Sequence, residues 1–456
     1  MQNLNLLLGW PLGMSSNKNR PFSASRNSHR FTDISTAERY PKDGHLITFA
    51  PTGSGKGVRV IIPNLLHYAG PVITIDPKGE NFAVTARYRR QVLGQSIYVL
   101  DPFEVISNAT LERVGVDRAT LNPLDLIANN RGYIETQLTM LASIFAGDGS
   151  NGVDDFWSQN AQILIAGVLG IIIFQAKEKK ESASFQKFMD YLYCDDVVYN
   201  LAVALDTITS LKNTFPYKAI AAFLQRADKE RSGILSTAHS FLTPFISTEL
   251  NKHLSTSSRS PNISNNNNYT LYIVIPPSKL ISHAILLRLW VATLLNEIME
   301  REEKPLKRTL FLLDECAQLG RLDALKKAIT LLRGYGLQVW MFFQDFSQLQ
   351  SLYSLDYPTI INNCGVFQAF GVSRNLDSVR IAETIGRYEP MDLVQLDKTQ
   401  QVLSLSNEAP KLLRLMNYLE DGFFIGRFDE NPLFAKQRQK KLVNDGFPSN
   451  SLRMHV

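Results

Sequence analysis

The sequence predicts an α/β fold, in which a mainly parallel sheet carries a phosphate-binding loop and an all-helical domain is inserted into the sheet's chain path. Three observations predict this fold. The apolar run 46–49 leads directly into the glycine-rich loop 50–57, Ala-Pro-Thr-Gly-Ser-Gly-Lys-Gly. The apolar run 309–313 ends in two consecutive carboxylates. Between them, residues 128–262 repeat apolar positions with helical spacing and contain few strand-like runs.

Length and composition indicate an ordinary globular protein. The chain has 456 residues, enough for two or three domains, with 45% apolar and 20% charged residues. Its formal net charge of +5 does not suggest a protein that coats nucleic acid along its whole surface. Basic residues crowd the first forty positions and 436–441. We interpret both clusters as solvated termini; the alternative is attraction to lipid headgroups or nucleic-acid phosphates.

Cysteine use and hydropathy suggest a location in a reducing compartment. The three cysteines, Cys194, Cys316 and Cys364, lack the paired spacing of metal ligands, and their number is odd. No secretory signal is visible at the N-terminus. The longest apolar run, 163–174, has twelve residues, whereas a membrane span needs about 20. We therefore expect it to be the buried part of a helix, and any membrane association of this chain to be peripheral.

The first part of the sheet is predicted within residues 41–127, after a partly ordered lead-in, 1–40. Apolar runs predict strands at His45–Phe49, Val72–Ile75 and 97–100. A helix is expected at 56–68, with a kink at Pro63. Apolar strands that alternate with helices indicate a parallel sheet covered on both faces.

The inserted all-helical domain is predicted at 128–262. Its helices are expected at 136–145, 159–175, 185–192, 197–211 and 234–250, and the polar run 255–268 reads as a surface loop. The sheet resumes within 263–435, and a basic tail follows at 436–456. The resumed strands are expected at 271–275, 310–313, Leu337–Phe343, 366–370 and 423–425. An insertion of this kind lets Lys56 and Asp314 meet in space although they are far apart in sequence.

The glycine-rich loop predicts a nucleotide site. A loop of this kind between a strand and a helix directs backbone N–H groups at phosphate, and its lysine neutralises the terminal phosphates. The predicted nucleotide-binding residues are Thr52, Gly53, Ser54, Gly55, Lys56, Gly57 and Val58. The loop departs from the usual G-x-x-x-x-G-K-[ST] pattern, because Ala50 replaces the first glycine and Gly57 replaces the residue whose hydroxyl binds Mg²⁺. The alternative is a glycine turn without a ligand.

The two carboxylates that end the strand 309–313 predict hydrolysis. One of them can hold Mg²⁺ through water, and the other can polarise the attacking water. The alternative is a pair of acidic residues at a helix N-terminus. A carboxylate at the end of an all-apolar strand is costly without a cation or a donor, and Lys56 or Mg²⁺ would supply one. Together with the glycine-rich loop, this pair indicates hydrolysis of a nucleotide, most simply ATP.

Four further residues are candidates. Asp76 and Lys78 lie in a loop after a predicted strand, where ligands bind in open parallel sheets; the alternative is a Pro-Gly turn with a solvated charge pair. Gln344 ends another strand, and it either senses the γ-phosphate and positions water or satisfies backbone groups. Arg333, before that strand, is either a surface arginine or an arginine finger; its chemistry alone favours the surface.

Taken together, these motifs resemble the TraG-type coupling protein ATPases of bacterial conjugation and type IV secretion. The resemblance covers roughly 40–430 and keeps the motifs in order. Besides the loop 50–57, it rests on Ile61-Ile62-Pro63-Asn64-Leu65-Leu66, Asp76-Pro77-Lys78-Gly79-Glu80, Asn122-Pro123-Leu124-Asp125, Phe156-Trp157, Leu313-Asp314-Glu315, Arg333-Gly334-Tyr335-Gly336 and Gln344-Asp345-Phe346-Ser347-Gln348-Leu349.

This resemblance implies a RecA-like P-loop domain with an all-helical insert, assembled as a homo-hexamer with ATP and Mg²⁺ between subunits. It implies Lys56 on phosphate, Asp314 on Mg²⁺, Glu315 on water, Gln344 as sensor and Arg333 as a finger that reaches the neighbouring subunit. It also accommodates a glycine at Gly57. The helical domain would face the cytosol and help to choose cargo.

The function that the resemblance implies is delivery of relaxase-bound single-stranded DNA to a type IV secretion channel, at the cytoplasmic face of the bacterial inner membrane. Members of the family usually carry transmembrane helices before the nucleotide-binding domain, so membrane contact is expected through a partner or through helices that this sequence lacks. Two alternatives stay open: a coupling ATPase for protein effectors only, and a ring adaptor that binds nucleotide without hydrolysing it.

Overall fold

The computed structural model describes residues 4–13, 31–128, 134–146, 155–257, 268–373 and 375–433. The predicted basic tail, 436–456, and the N-terminal basic residues Lys18, Arg20, Arg26 and Arg30 lie outside these ranges. Most of the polar run 255–268 lies outside them too.

One sheet organises the described part of the chain. It has eleven strands. In chain order they are β1 (Leu6–Pro11), β2 (Glu38–Tyr40), β3 (His45–Phe49), β4 (Val72–Ile75), β5 (Ser96–Leu100), β6 (Tyr269–Ile273), β7 (Thr309–Leu313), β8 (Leu337–Phe343), β9 (Cys364–Ala369), β10 (Gln400–Leu405) and β11 (Lys411–Arg414). Their order across the sheet is β2-β1-β11-β10-β9-β3-β8-β7-β4-β6-β5.

The strands from β9 to β5 in this order are parallel, and the remaining four join the β9 edge in antiparallel pairs. Every residue of β3, β4, β6, β7 and β8 is buried, as expected for strands that helices cover on both faces. The expected α/β fold with a mainly parallel sheet is therefore confirmed. The order also places β3 beside β8 and β7, so the loop after β3 and the carboxylates after β7 share one edge of the sheet.

Four strands and one turn differ from the sequence-based expectation. β1 and β2, inside the segment interpreted as a lead-in, and the hairpin β10–β11 were not predicted. Residues 423–425, predicted as a strand, instead follow Asp421 in a short 3₁₀ turn, Gly422–Phe424. Phe424 is fully buried there among apolar side chains, whereas Ile425 follows the turn and is 41% exposed, so this apolar run contributes a buried side chain without pairing in the sheet.

Helices connect the strands. They are α1 (Ile62–His67), α2 (Glu80–Gln91), α3 (Asn108–Val114), α4 (Pro123–Ala128), α5 (Ile134–Ala146), α6 (Asp155–Lys179), α7 (Phe185–Leu192), α8 (Val197–Thr207), α9 (Phe215–Leu224), α10 (Asp228–Leu242), α11 (Thr248–Ser255), α12 (Pro277–Met299), α13 (Asp323–Leu331), α14 (Phe346–Leu352), α15 (Tyr357–Asn362), α16 (Asn375–Ile385) and α17 (Pro390–Val394). Helices α4 to α11 fall between β5 and β6, so the insert is all-helical in the described residues.

Helix α6 forms the centre of the insert. It is flanked by α5, α9 and α10. Gly167 and Gly170 let α9 approach closely, because a Cβ at Gly170 would overlap the ring of Pro216. By length and composition, residues Phe156–Lys179 are the one described helix that could cross a membrane, with a mean hydropathy of 1.5 in its apolar window. Since 61% of that window is buried inside the protein, the packing of the insert accounts for its apolar character.

Candidate functional site

The glycine-rich loop leaves β3 at the carboxyl edge of the sheet. The Ala50 N–H continues the pairing with β8 by donating to the Phe343 carbonyl at 2.9 Å. The chain then turns through Gly53 and Gly55, whose φ angles of +82° and +87° are favourable for glycine. Ser54 closes the turn, because its N–H and Oγ both donate to the Pro51 carbonyl. The loop therefore has the local geometry of a phosphate cradle at the start of a helical segment.

The helical segment after the loop begins with a wide turn. Residues Gly57–Ile61 form a π-helix, in which the Ile62 N–H donates to the Gly57 carbonyl, and α1 follows. Pro63 lies in the first turn of α1, so the expected irregularity at Pro63 takes the form of a change from π- to α-helix. Such wide turns occur frequently at functional sites.

Lys56 contacts both carboxylates of the predicted pair. Its Nζ lies 2.7 Å from Glu315 Oε1 and 3.5 Å from Asp314 Oδ1, and its side chain is only 9% exposed. Lys56 and Glu315 are 259 positions apart in the chain. The sheet order thus brings the lysine of the loop and the carboxylates after β7 together, as the sequence predicted for Lys56 and Asp314.

Gln344 completes this cluster from β8. Its Nε2 donates to Glu315 Oε2 at 2.8 Å, while its own backbone N–H donates to Gln348 Oε1 at 2.9 Å. Glu315 itself has a left-handed backbone, with φ 60° and ψ 49°, which is uncommon for a residue other than glycine. Both oxygens of the Glu315 carboxylate are therefore held by side chains, one by Lys56 and the other by Gln344.

Asp314 has the features of a metal-binding carboxylate. Its Oδ1 is buried and accepts no hydrogen bond from the described residues. Burial raises the pKa of Asp314 to about 6, and Lys56 partly opposes that rise. The described residues contain no cluster of three or more His, Cys, Asp or Glu side chains. Mg²⁺ commonly binds through one or two carboxylates together with substrate phosphates, so Asp314 beside a phosphate-binding loop fits Mg²⁺ of that kind.

Gly57 has room for the hydroxyl that it lacks. A Cβ built on Gly57 meets no atom within 4 Å, so the usual serine or threonine would fit sterically. A Mg²⁺ ion at this loop would need another group or water in place of that hydroxyl.

Asp76 and Lys78 have different environments from each other. Asp76, paired in register next to Asp314, is buried, and its Oδ2 accepts the Phe82 N–H at 2.8 Å. Burial raises the pKa of Asp76 to about 7. Its carboxyl group therefore anchors the start of α2, and no open face of the carboxyl is evident. Lys78 is exposed at the same edge. Direct nucleotide contact by Asp76 and Lys78 stays a prediction.

Arg333 lies at the opposite edge of the sheet. It precedes β8, and its Nε and Nη2 lie 2.7 and 2.6 Å from Asp43 Oδ1. Asp43 precedes β3, so the length of β3, about 16 Å, separates this pair from the glycine-rich loop. The Arg333 side chain is 59% exposed. Within one subunit, Arg333 does not join the cluster of Lys56, Glu315 and Gln344.

Arg59 is a cation near the loop that the sequence-based prediction omitted. A Cβ built on Gly55 would lie 3.0 Å from Arg59 Nε, so the arginine side chain folds back against the loop. Its Nη1 donates to the backbone carbonyl of Lys398. The only sequence signal for this contact is the spacing of four residues from Gly55 in a helical segment.

A comparison with protein families identifies the chain. The family model described as type IV secretory system conjugative DNA transfer matches residues 16–391. The chain belongs to this family. The predicted membership in the TraG-type coupling proteins is thus confirmed.

Relatives within the conjugative DNA transfer family support the assignment. The conjugal transfer protein TraG of Escherichia coli is 28% identical over 348 residues, which cover 72% of this chain and 53% of TraG. The type IV secretion system-coupling protein VirD4 of Bartonella quintana (strain Toulouse) is 26% identical over 315 residues, which cover 67% of this chain and 47% of VirD4. The chain spans about half the length of the curated relatives it matches.

Solved structures of the coupling protein TrwB share the fold. A form that lacks the first 70 residues, in complex with sulphate, superposes with a TM-score of 0.64 at 16% identity, covering 86% of this chain and 90% of that one. TrwB in complex with ADP and Mg²⁺ superposes with a TM-score of 0.62 at 16% identity, covering 91% of this chain and 96% of that one. The expected RecA-like P-loop fold with an all-helical insert is therefore confirmed for this member of the conjugative DNA transfer family.

Proposed function

We propose that this chain is the ATP-hydrolysing part of a conjugative coupling protein. The observation that carries the proposal is the convergence of Lys56, Asp314, Glu315 and Gln344 at one edge of the sheet, from three different strands. A phosphate-binding lysine beside two acidic residues and an amide is the set that hydrolysis of a phosphoanhydride requires. Solved structures of TrwB with ADP and Mg²⁺, and with a non-hydrolysable ATP analogue, support ATP and Mg²⁺ as its ligands.

In this proposal Lys56 changes partners during the reaction cycle. In the structure, its ammonium group is shared by Glu315 and Asp314. The terminal phosphates of ATP draw Lys56 toward the loop, and the backbone N–H groups of residues 53–57 bind the phosphate oxygens. Asp314 would hold Mg²⁺, and a bound Mg²⁺ would supply charge neutralisation at the phosphates.

Release from Lys56 also frees Glu315 Oε1 to accept a hydrogen bond from the attacking water. Gln344 continues to hold Oε2, so the Glu315 carboxylate keeps one fixed orientation. A carboxylate that is held in one orientation can position the water at the moment of attack. Because Gln344 is also tied to Gln348 in α14, its movement on loss of the γ-phosphate would be passed to that helix.

The cargo and assembly that we propose follow the family. Relaxase-bound single-stranded DNA would be recruited and passed to a type IV secretion channel by a homo-hexamer at the cytoplasmic face of the bacterial inner membrane. The exposed position of Arg333, away from its own loop, supports a role in the site of a neighbouring subunit. The cluster of basic residues near the N-terminus supports attraction to nucleic-acid phosphates.

Two variants test hydrolysis. Lys56→Ala should abolish both nucleotide binding and turnover, whereas Glu315→Gln should retain binding and lose turnover, because only the second variant keeps the phosphate cradle intact. Steady-state hydrolysis and equilibrium binding of ATP to purified protein measure both. Parent-like hydrolysis by Glu315→Gln would remove Glu315 from the catalytic role. Nucleotide binding without hydrolysis by the parent protein would favour the ring adaptor.

A separate measurement tests cargo. Single-stranded DNA should stimulate hydrolysis and bind with a strong salt dependence, since phosphate contacts release counterions. An active ATPase that binds neither single- nor double-stranded DNA at low salt would contradict the DNA assignment and favour protein effectors.

A further inference from the structure

The strand order indicates which way a nucleoside triphosphate lies across the loop. Glu315 and Gln344 follow β7 and β8, which lie on one side of β3. The phosphate that is hydrolysed must lie near them. β9 and β10 lie on the other side of β3. A bound nucleotide therefore has its terminal phosphate toward β7 and β8, and its phosphate chain crosses the loop. Its α-phosphate and nucleoside then lie toward the β9–β10 side.

Two segments border that side of the loop. Gly371 follows β9 with a φ of +67°, and a Cβ there would lie 2.9 Å from Ser54 Cβ, so this segment packs against the loop. β10 runs antiparallel to β9, which places the turn 397–399 at the same edge as the loop. Within that turn, Asp397 Oδ1 accepts the N–H and the hydroxyl of Thr399 at 2.8 and 2.6 Å.

Arg59 lies between the loop and this turn. Side chains on a helical segment point back toward its N-terminus, and the Arg59 side chain accordingly lies against Gly55. Its guanidinium donates to the carbonyl of Lys398 rather than to a carboxylate. Hydrogen bonds from Thr399 chiefly lower the pKa of Asp397, and the charges of Arg414 and Arg59 lower it further, yet Arg59 forms no ion pair with any carboxylate in the described part of the chain. Among the described residues, its charge therefore has no direct anionic partner.

The balance of charges around the loop indicates that a bound triphosphate needs a further cation, which Arg59 can supply. Lys56 is buried against Asp314 and Glu315, so one ammonium group faces two carboxylates before any phosphate arrives. A triphosphate adds more negative charge than Lys56 and Mg²⁺ together offset. A guanidinium that already lies beside the loop is well suited to bind phosphate oxygens through two N–H groups.

We propose that Arg59 is a second nucleotide-binding cation. Its guanidinium moves away from the carbonyl of Lys398 and contacts the α-phosphate and ribose side of ATP. The turn 397–399 then borders the nucleoside. This inference rests on the proposed function, since it assumes that the loop 50–57 binds a nucleotide. It assigns Arg59 to binding rather than to the transfer step, because Arg59 lies on the side of β3 away from Glu315 and Gln344.

The test compares Arg59→Met with Arg59→Lys. Methionine keeps an unbranched stem against Gly55 but removes the charge. Isothermal titration with ADP and with a non-hydrolysable ATP analogue should give dissociation constants about 10- to 100-fold higher for Arg59→Met, and a smaller increase for Arg59→Lys. In steady state, Arg59→Met should raise KM for ATP by a similar factor and leave kcat within about twofold of the parent.

Arg387→Met is the matched control. Arg387 is also an arginine that donates to a backbone carbonyl, that of Pro410 at 2.7 Å, but it lies away from the loop. This variant should bind nucleotide like the parent. The thermal unfolding midpoint without nucleotide should be the same in all four proteins.

The outcomes separate this inference from the proposed function. If the parent binds ADP and Arg59→Met binds it equally well, Arg59 is not a nucleotide contact and the inference is overturned while the proposed function stands. If the parent binds no nucleotide, the proposed function itself fails. If Arg59→Met and Arg59→Lys lose affinity equally and both unfold at a lower temperature, Arg59 serves only to anchor the turn 397–399, which also overturns the inference.

Discussion

At the scale of single residues, the site depends on one lysine with two alternative sets of partners. Lys56 is 9% exposed and is held by Glu315 and Asp314, so the protein's own carboxylates compensate its charge. A buried ammonium that lost these carboxylates without gaining phosphate would be costly. We infer that binding of nucleotide and release of Glu315 are coupled steps.

The open space at Gly57 yields a prediction about Mg²⁺. Gly57→Ser should be accommodated, because a Cβ at this position meets no atom within 4 Å. The new hydroxyl should lower the Mg²⁺ concentration that half-saturates nucleotide binding by several-fold, since it restores a common Mg²⁺ ligand. Titration of Mg²⁺ at fixed ADP measures this. Gly334→Ser, whose site is equally open and lies at the opposite edge, should leave the midpoint unchanged; weaker binding by Gly57→Ser would contradict the prediction.

His67 yields a prediction about acid stability. It is buried, neither ring nitrogen has a hydrogen-bond partner among the described residues, and burial lowers its pKa to about 4. The unfolded chain therefore takes up a proton near pH 6.5 that the folded chain resists. Relative to His67→Phe, the parent should lose about 3 kcal/mol of stability between pH 7 and pH 4. Urea unfolding at both pH values measures the difference.

A contrasting variant makes the His67 experiment decisive. His45 is also buried with a pKa lowered to about 4, but its Nδ1 accepts the Val339 N–H at 3.0 Å. His45→Phe should therefore destabilise the protein at pH 7, by about 1 to 3 kcal/mol, whereas His67→Phe should not. A parallel pH dependence in the parent and His67→Phe would show that His67 does not contribute to acid sensitivity.

At the scale of elements, close approach of α6 and α9 organises the helical insert. Gly170→Val would place branched carbon atoms where the ring of Pro216 lies, and a proline ring has little freedom to move away. We expect a loss of about 2 to 3 kcal/mol in the free energy of unfolding. Chemical denaturation measures this loss. Gln159→Ala, at an exposed position of the same helix, should change stability by less than about 0.5 kcal/mol; an equally small effect of Gly170→Val would contradict the packing argument.

The elements differ in how far the sequence predicts them. Long apolar runs such as β3, β7 and β8 are readily predicted, because strands of a covered parallel sheet are buried on both faces. β10 and β11 mix polar and apolar residues, and β2 has three residues, so neither length nor periodicity distinguishes them from loops. Residues 423–425 show the opposite case, because this apolar run lies in and after a turn that buries Phe424 and forms no strand.

The same limits apply to the candidate site. The loop 50–57 and Asp314-Glu315 are recognisable because each residue type has a chemical reason at its position. The sequence predicts Gln344 either as a sensor of the γ-phosphate that positions water or as a strand-end amide that satisfies backbone groups; it predicts neither the contact of Gln344 with Glu315 nor the position of Arg59. Both contacts depend on distances between side chains that a linear pattern does not contain.

At the scale of the whole molecule, the position of Arg333 predicts that hydrolysis depends on assembly. Lys56→Ala and Arg333→Ala should each be inactive alone. When the two proteins are mixed in one ring, some interfaces should combine an intact Lys56 with an intact Arg333, and activity should partly return. An arginine near the transferring phosphate is worth several orders of magnitude in rate, so the recovery should be measurable as steady-state hydrolysis.

The control for this experiment is a variant that breaks the ion pair between Arg333 and Asp43 within one subunit. Asp43→Asn removes the charge that Arg333 contacts while leaving both proposed catalytic groups in place, and it should not abolish hydrolysis. Mixed rings that form, by native mass spectrometry, but stay as inactive as the single variants would exclude Arg333 as a finger acting between subunits.

The position of β1 between β2 and β11 has a consequence for the order of folding during synthesis. Strand β1 leaves the ribosome long before β11, and Trp10 Nε1 reaches Asp421 across 411 residues. At about 5 to 20 residues per second, the partner arrives roughly 20 to 80 seconds later. During that interval β1 has β2 as its only neighbouring strand among the described residues, and its apolar residues lack the rest of the sheet. Nascent chains should therefore depend on chaperones that shield β1 until β11 has been synthesised.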